Sequence, residues 1–295
     1  MTDFFEGINQ IEIKAEAGDI RFPIFYRDAR MFTLILPANL MKLRRMLPDP
    51  RFSPAQLVPG VGALTLTAFE YYDTDIQAYN EFSMGIVLNS PYFAPVPGYN
   101  LLRQYFADMF DVFIYHLPVT TELALRGGID YYNYPKFLAG IEFSDTPDRV
   151  TCDLSREGEH LMTVSGPKVP ASARGEMKFI CNLYQYRQPQ QAEFKLNVVE
   201  GAVQWLPSEV AWSFNTASDI GREMADCVLG NRAALYLYMP KIQCILYGPE
   251  HLSFQLLKLA METGLEPPKP AAKPAAKKKK PAKPAKKSAT SKRSR

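Results

Sequence analysis

Over the first 247 positions apolar and polar residues change places in short runs separated by Gly, Pro, Asn and Asp, and sustained helical spacing is rare. Residues 10–15 alternate, and a longer extended stretch, rich in Ile, Phe and Tyr, follows over 21–36. The same pattern predicts strands over 63–72, 81–88, 110–117, 139–143, 149–154, 160–165, 178–186, 193–199, 210–214 and 233–246. Helices are fewer. Leu40, Met41, Leu43 and Leu47 recur at helical spacing within 37–47, and Pro48 stops that segment. A short helix is predicted over 121–126, with Thr120 as its cap and Gly127-Gly128 as its exit. Two more are predicted, over 219–229 and, as an amphipathic terminal helix, over 250–264. Strands at this spacing predict a mainly β (α+β) fold, an antiparallel barrel or sandwich rather than a parallel α/β sheet.

Composition agrees with a packed core: 47% of the 295 residues are hydrophobic and 22% charged, with 18 Phe and 16 Tyr. The net charge of +3 hides a segregation. Twelve of the 34 Lys and Arg fall after position 266, in a segment with no acid, which leaves 22 against 31 acidic residues and a balance of −9 for the rest. The division predicted is therefore a globular domain over 1–266 and a disordered Lys/Ala/Pro-rich tail over 267–295. Such a tail can contact a polyanion non-specifically through counterion release, whereas the acidic body is no basic nucleic-acid-binding domain.

The stretch 101–119 is interrupted by Arg103, Asp108 and Asp111, so no membrane span is expected. The first residues include Asp3 and Glu6 and lack the pattern of a signal peptide. Cys152, Cys181, Cys227 and Cys244 lie far apart, as reduced thiols of a cytoplasmic protein would. Neither the cysteines nor the three isolated histidines offer metal-ligand spacing, and no metal or organic cofactor is expected. Phosphate-binding glycine loops and a nucleophile elbow are absent, and Gly60-Val61-Gly62 after Pro59 reads as a turn.

One local feature is unusual: Lys136 inside Tyr131-Tyr132-Asn133-Tyr134-Pro135-Lys136-Phe137-Leu138. A lysine among aromatics can lay its stem over the rings and send its ammonium to water. Alternatively it is desolvated, which favours the neutral amine, a nucleophile able to form a Schiff base with a ketone.

The segment YYNYPKFLAG resembles the active-site segment of the acetoacetate decarboxylase family, with Lys136 on the Schiff-base lysine. LRRMLPDP (43–50), AYNEF (78–82), EVAWSFN (209–215) and YMPKIQCILY (238–247) are similar to further family stretches in the same order, over roughly residues 20–247. The resemblance implies an antiparallel β-barrel or cone around a ligand cavity, small peripheral helices and a homo-oligomer. It implies an enzyme that decarboxylates a small β-keto acid through a lysine Schiff base, with Lys136 and Glu81 as catalytic residues. An aldolase or dehydratase acting on a larger keto acid by the same intermediate is the alternative within that chemistry. A non-catalytic small-acid-binding protein, directed to a polyanion by its tail, is the alternative outside it.

This chain departs from the family pattern at three places. Phe137 stands where a second lysine follows the Schiff-base lysine, Leu66 near a second acidic position, and Ala29 where an active-site arginine is expected. Arg27 would share the strand face of residue 29, with Arg30 pointing the other way, which makes Arg27 the candidate for binding a substrate carboxylate. Burial among Tyr131, Tyr132, Tyr134 and Phe137 would then have to favour the neutral amine of Lys136 without help from a neighbouring cation.

Overall fold

Alternation with period 2 persists where a strand meets different surroundings on its two faces. The computed structural model, which describes residues 3–13, 19–185 and 187–249, bears this out across fourteen strands and four helices among the described residues. The strands are β1 (Ile11–Ile13), β2 (Ile20–Phe22), β3 (Ile24–Asn39), β4 (Gln56–Val58), β5 (Val61–Thr74), β6 (Tyr79–Val87) and β7 (Met109–His116). They continue as β8 (Gly140–Asp145), β9 (Arg149–Arg156), β10 (Glu159–Pro167), β11 (Ala173–Gln185), β12 (Gln188–Trp205), β13 (Ala211–Phe214) and β14 (Leu235–Leu246). The helices are α1 (Leu40–Met46), α2 (Tyr99–Phe106), α3 (Glu122–Tyr132) and α4 (Asp219–Cys227).

Seven strands close a barrel in the order β3-β14-β12-β11-β7-β6-β5, with β5 pairing back to β3. Six of these pairings are antiparallel, and β7–β11 is parallel. The reason is the long excursion between those two strands: the chain leaves after β7, forms α3 and β8–β10, and re-enters running the same way.

Strands β8, β9, β10 and β13 form a second, antiparallel sheet in the order β13-β10-β9-β8. Its apolar residues, among them Ile141, Leu154 and Met162, join one core with Leu34, Leu66 and Met84 from the outer faces of β3, β5 and β6. Those three barrel strands are thus buried on both sides. Their outward positions are aliphatic or aromatic, while their inward positions include Thr33, Thr65, Thr67, Glu81 and Ser83.

Two local expectations are corrected, and one helix was not expected. The helix predicted from 37 begins at Leu40, since Pro37 to Asn39 finish β3 and Asn39 caps α1 through Met41 and Lys42 N–H groups. Helix α3 is capped by Thr121, not Thr120, and runs through Gly127-Gly128 to an Asn133 in the left-handed region (φ 53°). Helix α2 went unread because its buried positions are polar, Asn100 and Gln104, while Tyr99, Leu102 and Phe106 face outward. Asn100 and Gln104 bond to each other and to the backbone of Ser90, Leu88 and Asp111. The predicted terminal helix over 250–264 and the tail lie outside the described residues.

Candidate functional site

Lys136 sits in the segment after α3, which runs beside residues 117–119. Leu117 and Val119 N–H groups donate to the carbonyls of Pro135 and Phe137, at 3.1 and 3.0 Å, and Val119 bridges Glu81 on one side and Leu138 on the other. Two residues distant in sequence are thereby set across one extended segment. Lys136 Nζ donates to Glu81 Oε2 at 2.8 Å, and the two side chains are 6% and 10% exposed. A buried pair of this kind is weak evidence for stability, because desolvation of both charges offsets their attraction. Its placement in a cavity points to chemistry.

Both residues line the interior of the barrel, in a cavity with about 80 Å³ open to the centres of water molecules. That space admits several waters or a small organic ligand. Tyr79 and Tyr134 place their rings 5.8 and 6.0 Å from Lys136 Nζ. Tyr71 and Tyr79 hydroxyls approach the two Glu81 oxygens at 3.5 Å, and Tyr26 meets Tyr79 at 3.3 Å. Burial, and after it the charge of Glu81, raises Tyr26, Tyr71 and Tyr79 well above the ordinary phenol range, so all three stay protonated. Cys181 also lines the cavity, and burial pushes its thiol up to about 12, which keeps it protonated and a poor nucleophile at neutral pH.

Of the aromatic neighbours expected around the amine, only Tyr134 takes that place. Tyr131 packs on Phe22 at 5.0 Å, and Tyr132 stacks behind Tyr134 at 5.1 Å. Phe137 faces away, 6.2 Å from the His116 ring and beneath the Arg156 guanidinium at 4.8 Å.

Arg27 is not brought to the cavity. The β3–β5 register shifts between Tyr26 and Ala29, and a bulge of this kind inserts a residue that reverses which face follows. Tyr26 therefore points inward along with Ala29 and Met31, and Arg27 points out to Asp75 (2.6 Å) and Asp73 (3.6 Å). Leu66 likewise faces the outer core, while its neighbours Thr65 and Thr67 face the cavity. Among the described residues no arginine or histidine lines that cavity.

Sequence reasoning missed Gly128, Tyr79 and the inward hydroxyls. A Cβ on Gly128 would overlap Lys136 Cδ and Cε, so the glycine inside α3 is the surface on which the lysine stem lies. Tyr79 was legible in principle, two residues before Glu81 on the same strand face.

A closed β-barrel with a lysine–carboxylate pair buried in its interior cavity is the class of protein that these features define. The family model for acetoacetate decarboxylase (ADC) matches residues 13–209, and the chain belongs to that family. No curated protein matches the sequence. Among solved structures, an acetoacetate decarboxylase is similar with a TM-score of 0.53 at 14% identity, over 78% of this chain and 89% of that one. The acetoacetate decarboxylase of Legionella pneumophila subsp. pneumophila str. Philadelphia 1 gives 0.51 at 13% identity, over 77% and 86%. The enduracididine biosynthesis enzyme MppR complexed with pyruvate gives 0.51 at 12% identity, over 77% and 88%. At these identities the likeness is one of fold.

Proposed function

We propose that the protein is a lysine-dependent decarboxylase of a small β-keto acid, with Lys136 as nucleophile and Glu81 as its proton partner. The observation that carries the reading is the 2.8 Å Lys136–Glu81 contact buried inside the barrel cavity. Transfer of one proton from Nζ to Glu81 along that hydrogen bond gives a neutral amine beside a carboxylic acid. Nζ attacks the substrate ketone, and Glu81 returns the proton as the hydroxyl leaves as water, which forms the iminium. The bond to the carboxylate then breaks, its electron pair enters the iminium, and carbon dioxide departs. The enamine left behind takes a proton on carbon, and water hydrolyses the product ketone from the lysine. The iminium is the electron sink, so the cycle uses no metal or organic cofactor.

The rest of the reading is a cytoplasmic homo-oligomer. Four free, buried cysteines suit a reducing compartment, and exposed Tyr99, Leu102, Phe106 and Trp205 offer apolar surface for self-association. The basic segment 267–295 would hold a polyanion in a salt-dependent way.

Borohydride reduction in the presence of acetoacetate, with peptide mapping and assay of released carbon dioxide, tests the function. Mass added to the Lys136 peptide together with carbon dioxide release is expected, and Lys136→Ala should abolish both. Trapping without release would move the reading to an aldolase or dehydratase. Absence of trapping by any ketone or keto acid would leave a binding protein.

A further inference from the structure

The cavity has two unlike walls. On β7, β11, β12 and β14 it is apolar, with residues such as Val112, Phe179, Phe194 and Leu237. On β3, β5 and β6 it carries hydroxyls: Thr33, Thr65, Thr67 and Ser83 are all 9% exposed or less. Register places them. Thr33 is the cross-strand partner of Thr67, and Thr67 is the partner of Ser83, so three hydroxyl residues form a row across three adjacent strands. The parallel row next to it is Met31, Phe69 and Glu81. The hydroxyl row is thus one inward step, two residues or about 7 Å of strand, from the carboxylate that holds Lys136.

Packing does not require these hydroxyls. The opposite faces of the same strands are Leu34, Leu66, Phe82 and Met84, and aliphatic residues inside would close the barrel at lower desolvation cost. Thr33 and Thr67 bond to each other at 3.0 Å, while the Thr65 and Ser83 hydroxyls make no protein hydrogen bond among the described residues. Among the described residues no arginine or histidine lines the cavity, and Lys136, engaged with Glu81, is the one cation there. A carboxylate resting on the hydroxyl row would therefore be buried without a counter-charge, which is costly. An uncharged oxygen, able to take a hydrogen bond from one hydroxyl and give one to another, meets no such cost.

We propose that the Thr33–Thr67–Ser83 row is a specificity subsite that receives an uncharged oxygen function, hydroxyl or carbonyl, on the substrate chain beyond the ketone. Resting on the Schiff-base reading of Lys136, it separates the substrate from a plain alkyl keto acid. A chain of three or four bonds from the ketone carbon, roughly 4–5 Å, plus a hydrogen bond of about 2.8 Å, spans the interval between the rows.

The test is borohydride trapping on Lys136 with two ketones of equal heavy-atom count, 2-hexanone and 5-hydroxy-2-pentanone. The hydroxyketone should reach half-maximal trapping at a concentration about 3- to 10-fold lower, the range set by one or two neutral hydrogen bonds. Ser83→Ala and Thr67→Val should each erase most of that preference while leaving 2-hexanone trapping within about twofold, which also shows that the variants fold. Equal trapping of the two ketones by the unmodified protein, or a preference that survives both substitutions, would overturn the subsite and leave the Schiff base standing. Failure of both ketones to label Lys136 would remove the Schiff-base reading and this inference with it.

Discussion

The methylene stem of Lys136 lies directly on Gly128, leaving no room for a side chain at that position of α3. A helix-interior glycine costs about 1 kcal/mol relative to alanine. Here it allows a lysine four residues beyond the helix to fold back across it toward Glu81.

Gly128→Ala should therefore separate activity from stability. Helix propensity rises and offsets part of the strain on the buried pair, so the urea midpoint should fall far less than on loss of the lysine, while displacement of the amine by about 1 Å should slow borohydride trapping by on the order of 100-fold. Gly127→Ala is the control, since its Cβ meets Ile20 Cδ1 at 2.8 Å and not the lysine. A Gly128→Ala protein that traps substrate at the unmodified rate would contradict the cradle.

The buried pair makes a second expectation. Lys136→Met alone leaves Glu81 inside the barrel without its cation, which should cost about 3–5 kcal/mol in urea unfolding at neutral pH. The double substitution with Glu81→Gln should cost less than the two single losses together, by at least about 1 kcal/mol. Additive losses would mean that the two side chains do not meet in solution.

Phe137 occupies the position of a second lysine, yet its ring points to His116 and Arg156 and not into the cavity. Phe137→Lys should consequently leave the trapping rate within about twofold and lower stability by about 1 kcal/mol, through a lost cation–π contact and a new like-charge neighbour. A large gain in trapping would show that the new amine reaches Lys136.

Outside the site, Asp111 is 2% exposed on β7, and its Oδ2 lacks a hydrogen-bond partner among the described residues. Burial raises its carboxyl above the ordinary carboxylate range, outweighing the opposing influence of Ser90 and Asn182. A carboxyl raised on folding contributes stability below its unfolded value, near ~3.9, and loses it as pH climbs through the folded value. Asp111→Asn should thus raise the urea-derived stability at pH 7 by about 1 kcal/mol and change it little below about pH 4. An equal gain at both pH values would point to packing and not to charge.

The sequence by itself determined most strand spans and both members of the buried pair. Alternation along β5, β6 and β9 reports two dissimilar faces, and that local signal survives any arrangement of neighbours. Lys136 stood out locally as a lysine among aromatics, and the resemblance of YYNYPKFLAG and AYNEF to family segments, itself carried by short local stretches, singled out both it and Glu81. Tertiary structure decided which face of each strand turns inward. The bulge between Tyr26 and Ala29 sends Arg27 to Asp75, and pairing with β3 and β6 sets Thr67 rather than Leu66 against the cavity. It also decided that Gly127-Gly128 continues a helix, that Asn100 and Gln104 are the buried side of α2, and that β7 and β11 run parallel. Each of these depends on what a residue meets from a distant part of the chain. Period and propensity record that a side chain is to be buried or that a backbone is free to bend; the partner surface alone fixes where.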